Sequence, residues 1–152
     1  MNFVIFTVGA QNLAIPIYMV QEFSKAMSVS PVVGHSPQVA GLINLRGKIA
    51  VAVNLRLCLH STASPEPERF SRSIILESQE NLSEEAVELG VETYTEPLVL
   101  MVDRIVGVSK VHESDFHPVP ANVDNPLIEA LVKIDGEFLP LLSITKLTAS
   151  LA

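Results

Sequence analysis

Hydrophobic positions alternate along much of this chain, and where they do not alternate they run together. Over residues 41–56, G-L-I-N-L-R-G-K-I-A-V-A-V-N-L-R, apolar residues alternate on either side of Arg46, Gly47 and Lys48. That is the pattern of two antiparallel strands joined by a tight turn. A loop of those three residues needs one position at positive φ, which Gly47 supplies without steric cost. This loop length places Ile43, Leu45, Ile49, Val51 and Val53 on one face of the hairpin. Leu42, Asn44, Ala50, Ala52 and Asn54 fall on the other, small enough for something else to lie close against them, and Arg46 stands at the tip.

The rest of the pattern predicts more strands. Phe3, Ile5 and Thr7 alternate with Val4, Phe6 and Val8 without polar interruption, as in a strand covered on both faces. Residues 9–12 read as its turn, and Leu13, Ile15 and Ile17 as a second strand in which Pro16 marks an edge or an end. A helical turn leading into a short strand is predicted over 18–23, then a loop over 24–38. After the central hairpin come one helical turn at 55–60, a Pro-containing linker at 61–71 and a short strand at 73–76. Leu82, Ala86 and Leu89 have helical spacing, with Asn81 and Glu84 as a capping pair. Strands follow at 98–102 and 105–111, separated by Asp103 and Arg104. Residues 132–144, V-K-I-D-G-E-F-L-P-L-L-S-I, repeat the first hairpin, with Asp135, Gly136 and Glu137 in the place of Arg46, Gly47 and Lys48. Two such hairpins suggest two small barrels of related build rather than one large sheet. Ile144, Leu147 and Leu151 predict a closing helix that docks on the body.

Composition narrows the class. A chain of 152 residues is one domain by its length, and although 48% of it is hydrophobic, no apolar run approaches a membrane span. The first eight residues alternate instead of forming a charged segment and an apolar block, which argues against a signal peptide and for a cytoplasmic protein. The single cysteine, Cys58, leaves no internal disulfide. The net charge is -7, and residues 77–96 hold seven glutamates with no lysine or arginine, so that one segment accounts for the excess. It reads either as a solvated surface or as a face that meets a basic partner. A nucleic-acid partner is disfavoured because there is no basic stripe and no tryptophan.

Candidate catalytic chemistry is thin. Cys58 and His60 share a face if extended, but nothing supplies the third, orienting group of a nucleophile system. His35, His60, His112 and His117 lack metal-site spacing; His112, Asp115 and His117 converge only if a loop brings them together. There is no phosphate loop and no G-x-S-x-G. The expectation is a protein that is not an enzyme, with no catalytic residue, no metal and no cofactor.

Four separated motifs resemble one family. The run at 41–56 is similar to the signature of the CheW family of bacterial chemotaxis coupling proteins, and V-Q-E-F at 20–23 resembles that family's V-Q-E-I. V-D-R-I-V-G-V at 102–108 resembles its V-D-x-V-x-x-V strand pair, and I-D-G at 134–136 with the apolar strand after it matches its closing hairpin. The chain departs from the family at Val51-Ala52-Val53-Asn54, where a proline and an aspartate are usual, at Ser143, where an aspartate is common, and over 78–96, where the acidic segment reads against the family as an insertion or a lengthened hairpin.

The resemblance implies a mainly β fold of two small five-stranded SH3-like barrels with short peripheral helices, one CheW-like domain over 1–152 with the junction of its two subdomains near 60–72. It implies a non-catalytic adaptor that couples the cytoplasmic helical-hairpin tips of chemoreceptors to the regulatory domain of the CheA histidine kinase, cytoplasmic and recruited to receptor arrays at the inner membrane without inserting into it. Ile17, Val20, Glu22, Arg46, Asp103 and Val106 match motif positions at the receptor or kinase interface, and Gly41, Gly47 and Gly136 serve as structural turn residues. Taken by themselves, Ile17 and Val20 also fit a core role, and Glu22 and Arg46 two solvated charges; the family pairs the last two. Other readings are an adaptor of a non-flagellar array, such as one steering pili-driven motility, and a small hydrolase or metal protein built on Cys58 and the histidines.

Overall fold

The computed structural model describes residues 1–32, 36–59, 72–123 and 125–151. The expected linker at 61–71, His35 and His60 lie outside the described residues. Among the described residues the fold is mainly β: two sheets, of six and five strands, with three short helices at the periphery. None of the described helices is long and apolar enough to cross a membrane.

The first sheet holds β1 (Asn2–Val8), β2 (Gln11–Pro16), β8 (Arg104–Lys110), β9 (Phe116–His117), β10 (Ile128–Ile134) and β11 (Glu137–Leu142), in the order β8-β1-β2-β11-β10-β9. The second holds β3 (Val20–Lys25), β4 (Val39–Leu45), β5 (Lys48–Asn54), β6 (Arg72–Leu76) and β7 (Leu98–Val102), in the order β3-β6-β7-β5-β4. The two follow one plan. In each, three antiparallel strands are joined by a parallel pair, β2 with β11 or β7 with β5, to a tight hairpin, β10–β11 or β4–β5. Each hairpin also carries a short flap on its outer strand: β9 on β10, and an isolated bridge from Ser30 on β4. The repeated hairpin in the sequence thus reflects a repeated half, as the two-barrel expectation requires.

The chain changes sheets at a single 3-10 turn, Ile17–Met19, and again at Asp103, between β7 and β8. The subdomain junction expected near 60–72 falls almost wholly outside the described residues; the strands flanking it, β5 and β6, belong to one sheet. Pro16 ends β2, so Ile17 opens the 3-10 turn instead of extending the strand.

Both faces of the central strands are buried. Val4, Phe6 and Val8 of β1 join Leu13, Ile15, Val51, Val53, Ile74, Leu98 and Leu100 in one core between the sheets. Phe3 and Ile5 turn instead into a small core within the first sheet, with Val132, Ile134, Leu139 and Leu141. A third core within the second sheet holds Ile43, Leu45, Ala50, Ala52, Ile75 and Val99. Helix α3 (Ile144–Ser150), capped by the Ser143 hydroxyl accepting from the Lys146 N–H at 3.2 Å, seals the shared core with Ile144, Leu147 and, just past its end, Leu151. Helix α1 (Leu55–Leu59) forms the expected single turn, with Leu55 in the same core.

Three further expectations are corrected. The β4–β5 loop has two residues, not three: Leu45 pairs with Lys48, and Arg46 and Gly47 take φ of 52° and 85°, the double left-handed geometry of a type I′ turn. Shortening the loop by one residue turns β5 over relative to β4, so Ala50 and Ala52 share a face with Ile43 and Leu45, while Val51 and Val53 face the other sheet. Asp135 and Gly136 form the matching turn, with φ of 50° and 81°. The helix in the acidic segment, α2 (Glu84–Glu88), is capped by Ser83, whose hydroxyl accepts from the Ala86 N–H at 3.2 Å. Asn81 closes a preceding 3-10 turn, with its side chain on the Ser78 hydroxyl.

Gly41 is the third. It lies within β4, at the point where the β4–β5 register shifts, and not in a turn. A Cβ there meets the Ser30 carbonyl oxygen at 2.3 Å and a Val29 methyl at 2.8 Å. The flap on β4 lies where that side chain would stand. Gly41→Ala is therefore expected to displace the flap and cost more than about 1 kcal/mol. Gly136→Ala, with open space around its Cβ, costs only the left-handed backbone term of about 1–2 kcal/mol. Urea unfolding of both variants checks this, with loss of the Ser30–Leu42 amide protection in hydrogen exchange for Gly41→Ala alone.

Candidate functional site: the clamp at the hairpin tip

The type I′ turn throws Arg46 off the end of the second sheet, and the Asn44 side chain secures the turn by accepting the Gly47 N–H at 2.8 Å. The Arg46 guanidinium Nη2 donates to both carboxylate oxygens of Glu22 on β3. In the sheet order β3 and β4 are opposite edges. Laid flat, β3 and the hairpin would stand three or four strand spacings apart, about 14–19 Å, far beyond an arginine side chain. The contact exists because the sheet curls until its edges meet, and the Ser30–Leu42 bridge closes the same gap further along. Hydrogen bonding to Glu22 raises the Arg46 pKa above its ordinary value; arginine is charged in any case, so what the pair fixes is position.

The pair sits at the surface, with 69% of the Arg46 side chain and 30% of the Glu22 side chain exposed. It therefore adds little to stability.

The other expected residues lie elsewhere. Ile17 is exposed on the 3-10 turn between the sheets, and Val20 opens β3 half-buried against the shared core. Asp103, at the second crossing, accepts the Gly9 N–H and donates its own N–H to the Thr7 carbonyl at 2.9 Å, so it holds the β1–β2 turn against the β7–β8 corner. Val106 is half-exposed on the edge strand β8, with Val108 beside it on the same face. Gly47 completes one tip and Gly136 the other. Sequence reasoning missed Phe23, exposed on β3, and Ile49, exposed beside the Arg46 tip. An apolar residue looks the same in a sequence whether it faces a core or a partner; the short loop would have signalled Ile49.

The histidine loop is structural. The Asp115 carboxylate accepts the His112 N–H at 2.9 Å and caps a 3-10 turn. His117 packs edge-on against Phe138, with ring centroids 5.0 Å apart.

The family model of the CheW-like domain matches residues 2–152. This chain belongs to the CheW family. The chemotaxis protein CheW of Bacillus subtilis (strain 168) is 27% identical to it over 139 residues, which are 90% of this chain and 79% of that protein. The crystal structure of the scaffolding protein TtCheW from Thermoanaerobacter tengcongensis shares its fold, with a TM-score of 0.73 at 22% identity over 93% of this chain and 87% of that one. Members of the CheW family are scaffolding adaptors of chemotaxis signalling and not enzymes, and this chain is such an adaptor.

Cys58 fits that assignment. It is half-buried at the rim of the shared core, and burial pushes its thiol up to about 12. A free thiol titrates near pH 8.5, so the native state holds its proton where the unfolded state releases it, and stability falls as pH rises from about 8.5 toward 12. At pH 8 the native thiol should react with iodoacetamide roughly fifty to a hundred times more slowly than in the unfolded chain, its scarcer thiolate being partly offset by greater nucleophilicity. Equal rates would place Cys58 in a solvated or activated setting.

Proposed function

We propose that this CheW-family adaptor couples the helical-hairpin tips of chemoreceptors to the regulatory domain of a CheA-type histidine kinase. The observation that carries this reading is the two-point contact of Arg46 with Glu22. It orders an exposed tip on a rigid sheet, which serves partner recognition better than it serves stability. Ile17, Val20 and Val106 offer apolar area at the crossing between the sheets and along β8. Asp103 keeps the neighbouring corner in place. A receptor helix laid against such a seam is held by apolar side chains and oriented by charges at the rim. The protein works in the cytoplasm and reaches receptor arrays at the inner membrane through these contacts, without inserting into the bilayer and without nucleic acid. An array steering pili-driven motility uses the same two kinds of partner, so titration against each kinase of the cell assigns the pathway.

Titration of the purified protein against a CheA regulatory domain and, separately, against a receptor-tip fragment should give saturable binding to both. Binding to neither by the folded protein would remove the coupling function. Arg46→Glu should keep the strand content by circular dichroism and weaken binding to at least one partner by about tenfold or more, as loss of an interfacial charge with repulsion in its place does. Undiminished binding to both would take Arg46 out of the interface.

A further inference from the structure

Two exposed surfaces of this chain pair apolar side chains with charges of opposite sign. β8 ends the six-stranded sheet, and among the described residues no strand lies along its outer side. Val106 and Val108 are 50% and 52% exposed on it, with Arg104 and Lys110 exposed at its two ends. A register shift against β1 leaves Val106 without a cross-strand partner. The Asp103 carboxylate, beside Arg104, accepts the Gly9 N–H, and Lys110 shares a cleft with Lys133, Asp115 and Asp135, two charges of each sign. The strip is thus apolar at its centre with a cation at each end. Charges and a bulge keep such an edge from pairing strand to strand, but they leave its two valines open to a partner that docks on the face.

The acidic segment is the reverse. Val87 and Leu89 are 58% and 59% exposed among Glu84, Glu85 and Glu88, with no lysine or arginine anywhere in 77–96. Leu82, Glu84, Val87 and Glu88 line a shallow depression of about 290 Å3. Glu84 and Glu88 stand one helical turn apart, where like charges repel, and a cation set between them relieves the repulsion. The segment is firmly seated. Ala86 is buried in the shared core, Gln79 joins the two ends through the Tyr94 carbonyl and the Thr93 N–H, both at 2.8 Å, and the Glu92 N–H donates to the Thr145 hydroxyl of α3 at 3.0 Å. Among the described residues no ion pair within the chain engages Arg104, Lys110, Glu84 or Glu88.

Pairing β8 with the β8 of a second copy about a two-fold axis at Gly107 would set Arg104 opposite Lys110 twice, like charges directly across from each other. The strip instead fits an acidic surface with apolar side chains among its carboxylates, and this chain carries one on α2. We propose that α2 of one copy docks on β8 of a second, with Val87 and Leu89 against Val106 and Val108 and the carboxylates of Glu84 and Glu88 drawn to Arg104 and Lys110. The two surfaces differ, so the contact is head to tail, and copies line up in a row that closes or stays open according to the rotation between neighbours. So few side chains fall well short of the roughly 20–30 residues a side of a stable interface, so the contact is weak and shows at high concentration. It goes beyond the coupling function and stands without it; a partner that takes Val106 and a second copy on β8 exclude each other.

The test is charge exchange, read by sedimentation velocity at low salt and concentrations up to the millimolar range. The natural protein should sediment faster as its concentration rises, and added salt should reverse the rise. Arg104→Glu/Lys110→Glu has two acidic surfaces and Glu84→Lys/Glu88→Lys two basic ones; all four positions are exposed, and circular dichroism should show both variants folded. Each alone should self-associate at least about tenfold more weakly than the natural protein. An equimolar mixture of the two should associate again, because the acidic β8 of one meets the basic α2 of the other. A natural protein that stays monomeric throughout, undiminished association by either variant, or a mixture that associates no better than its components overturns the contact. None of these results bears on coupling, which is read from binding of the natural protein to the kinase domain and the receptor tip.

Discussion

Each sheet of this protein has to bury both of its faces, and the three helices among the described residues, of five, five and seven residues, are too short to cover either one. The solution is to curl each sheet around its own small core and to press the two outer faces together. On the inner sides Ala14 in the first sheet and Ala50 and Ala52 in the second leave room for Phe3, Ile5, Ile43 and Leu45. Large ones such as Phe6, Ile15, Ile74 and Leu100 take the shared core. Each large aliphatic side chain buried there contributes roughly 1.5–3 kcal/mol. The shared core thus holds the two halves in one body, and it fixes the relation between surfaces that lie on different halves.

Curling brings the edges of a sheet within reach of each other, and edges are where β-proteins associate wrongly. In the second sheet the outer strand β4 is covered by the Ser30 flap, and the hairpin tip is tied across to β3 by Arg46 and Glu22. In the first sheet β9 covers β10, and the Asp135–Gly136 tip lines one cleft with Ser109 and Lys110 of the far edge strand. The result is a rigid body whose exposed features are turns, tips and the seam between halves. An adaptor needs this more than it needs a reactive group, because it acts by holding partners at fixed positions.

Much of this was legible from residue patterns. The unbroken apolar run at residues 3–8 revealed a strand with two buried faces, and the echo of R-G-K in D-G-E revealed two halves of one plan. The closing helix was readable from Ile144, Leu147 and Leu151. The failures have local causes. A tight turn of two residues or three is decided by whether the first residue tolerates positive φ, and Arg46 is not a residue that advertises this. That single step inverted the face assignment of β5. Asn81 and Ser83 are both good capping residues, and only the preceding 3-10 turn decides between them. The Glu22–Arg46 pair came from family resemblance, since residues 24 apart meet only after the sheet has curled. The open cleft between the Arg46 tip and the acidic segment had no sequence signal, because its lining comes from residues 21, 45–49, 78, 80, 81 and 95–97.

Coupling requires one rigid body to hold two partners at once. Sedimentation velocity of this protein mixed with both the CheA regulatory domain and the receptor-tip fragment, each above its own dissociation constant, tests it most directly. The predicted result is a single species heavier than either pairwise complex and containing all three components. Two pairwise complexes that exclude each other, with no ternary species at any ratio, would contradict the account.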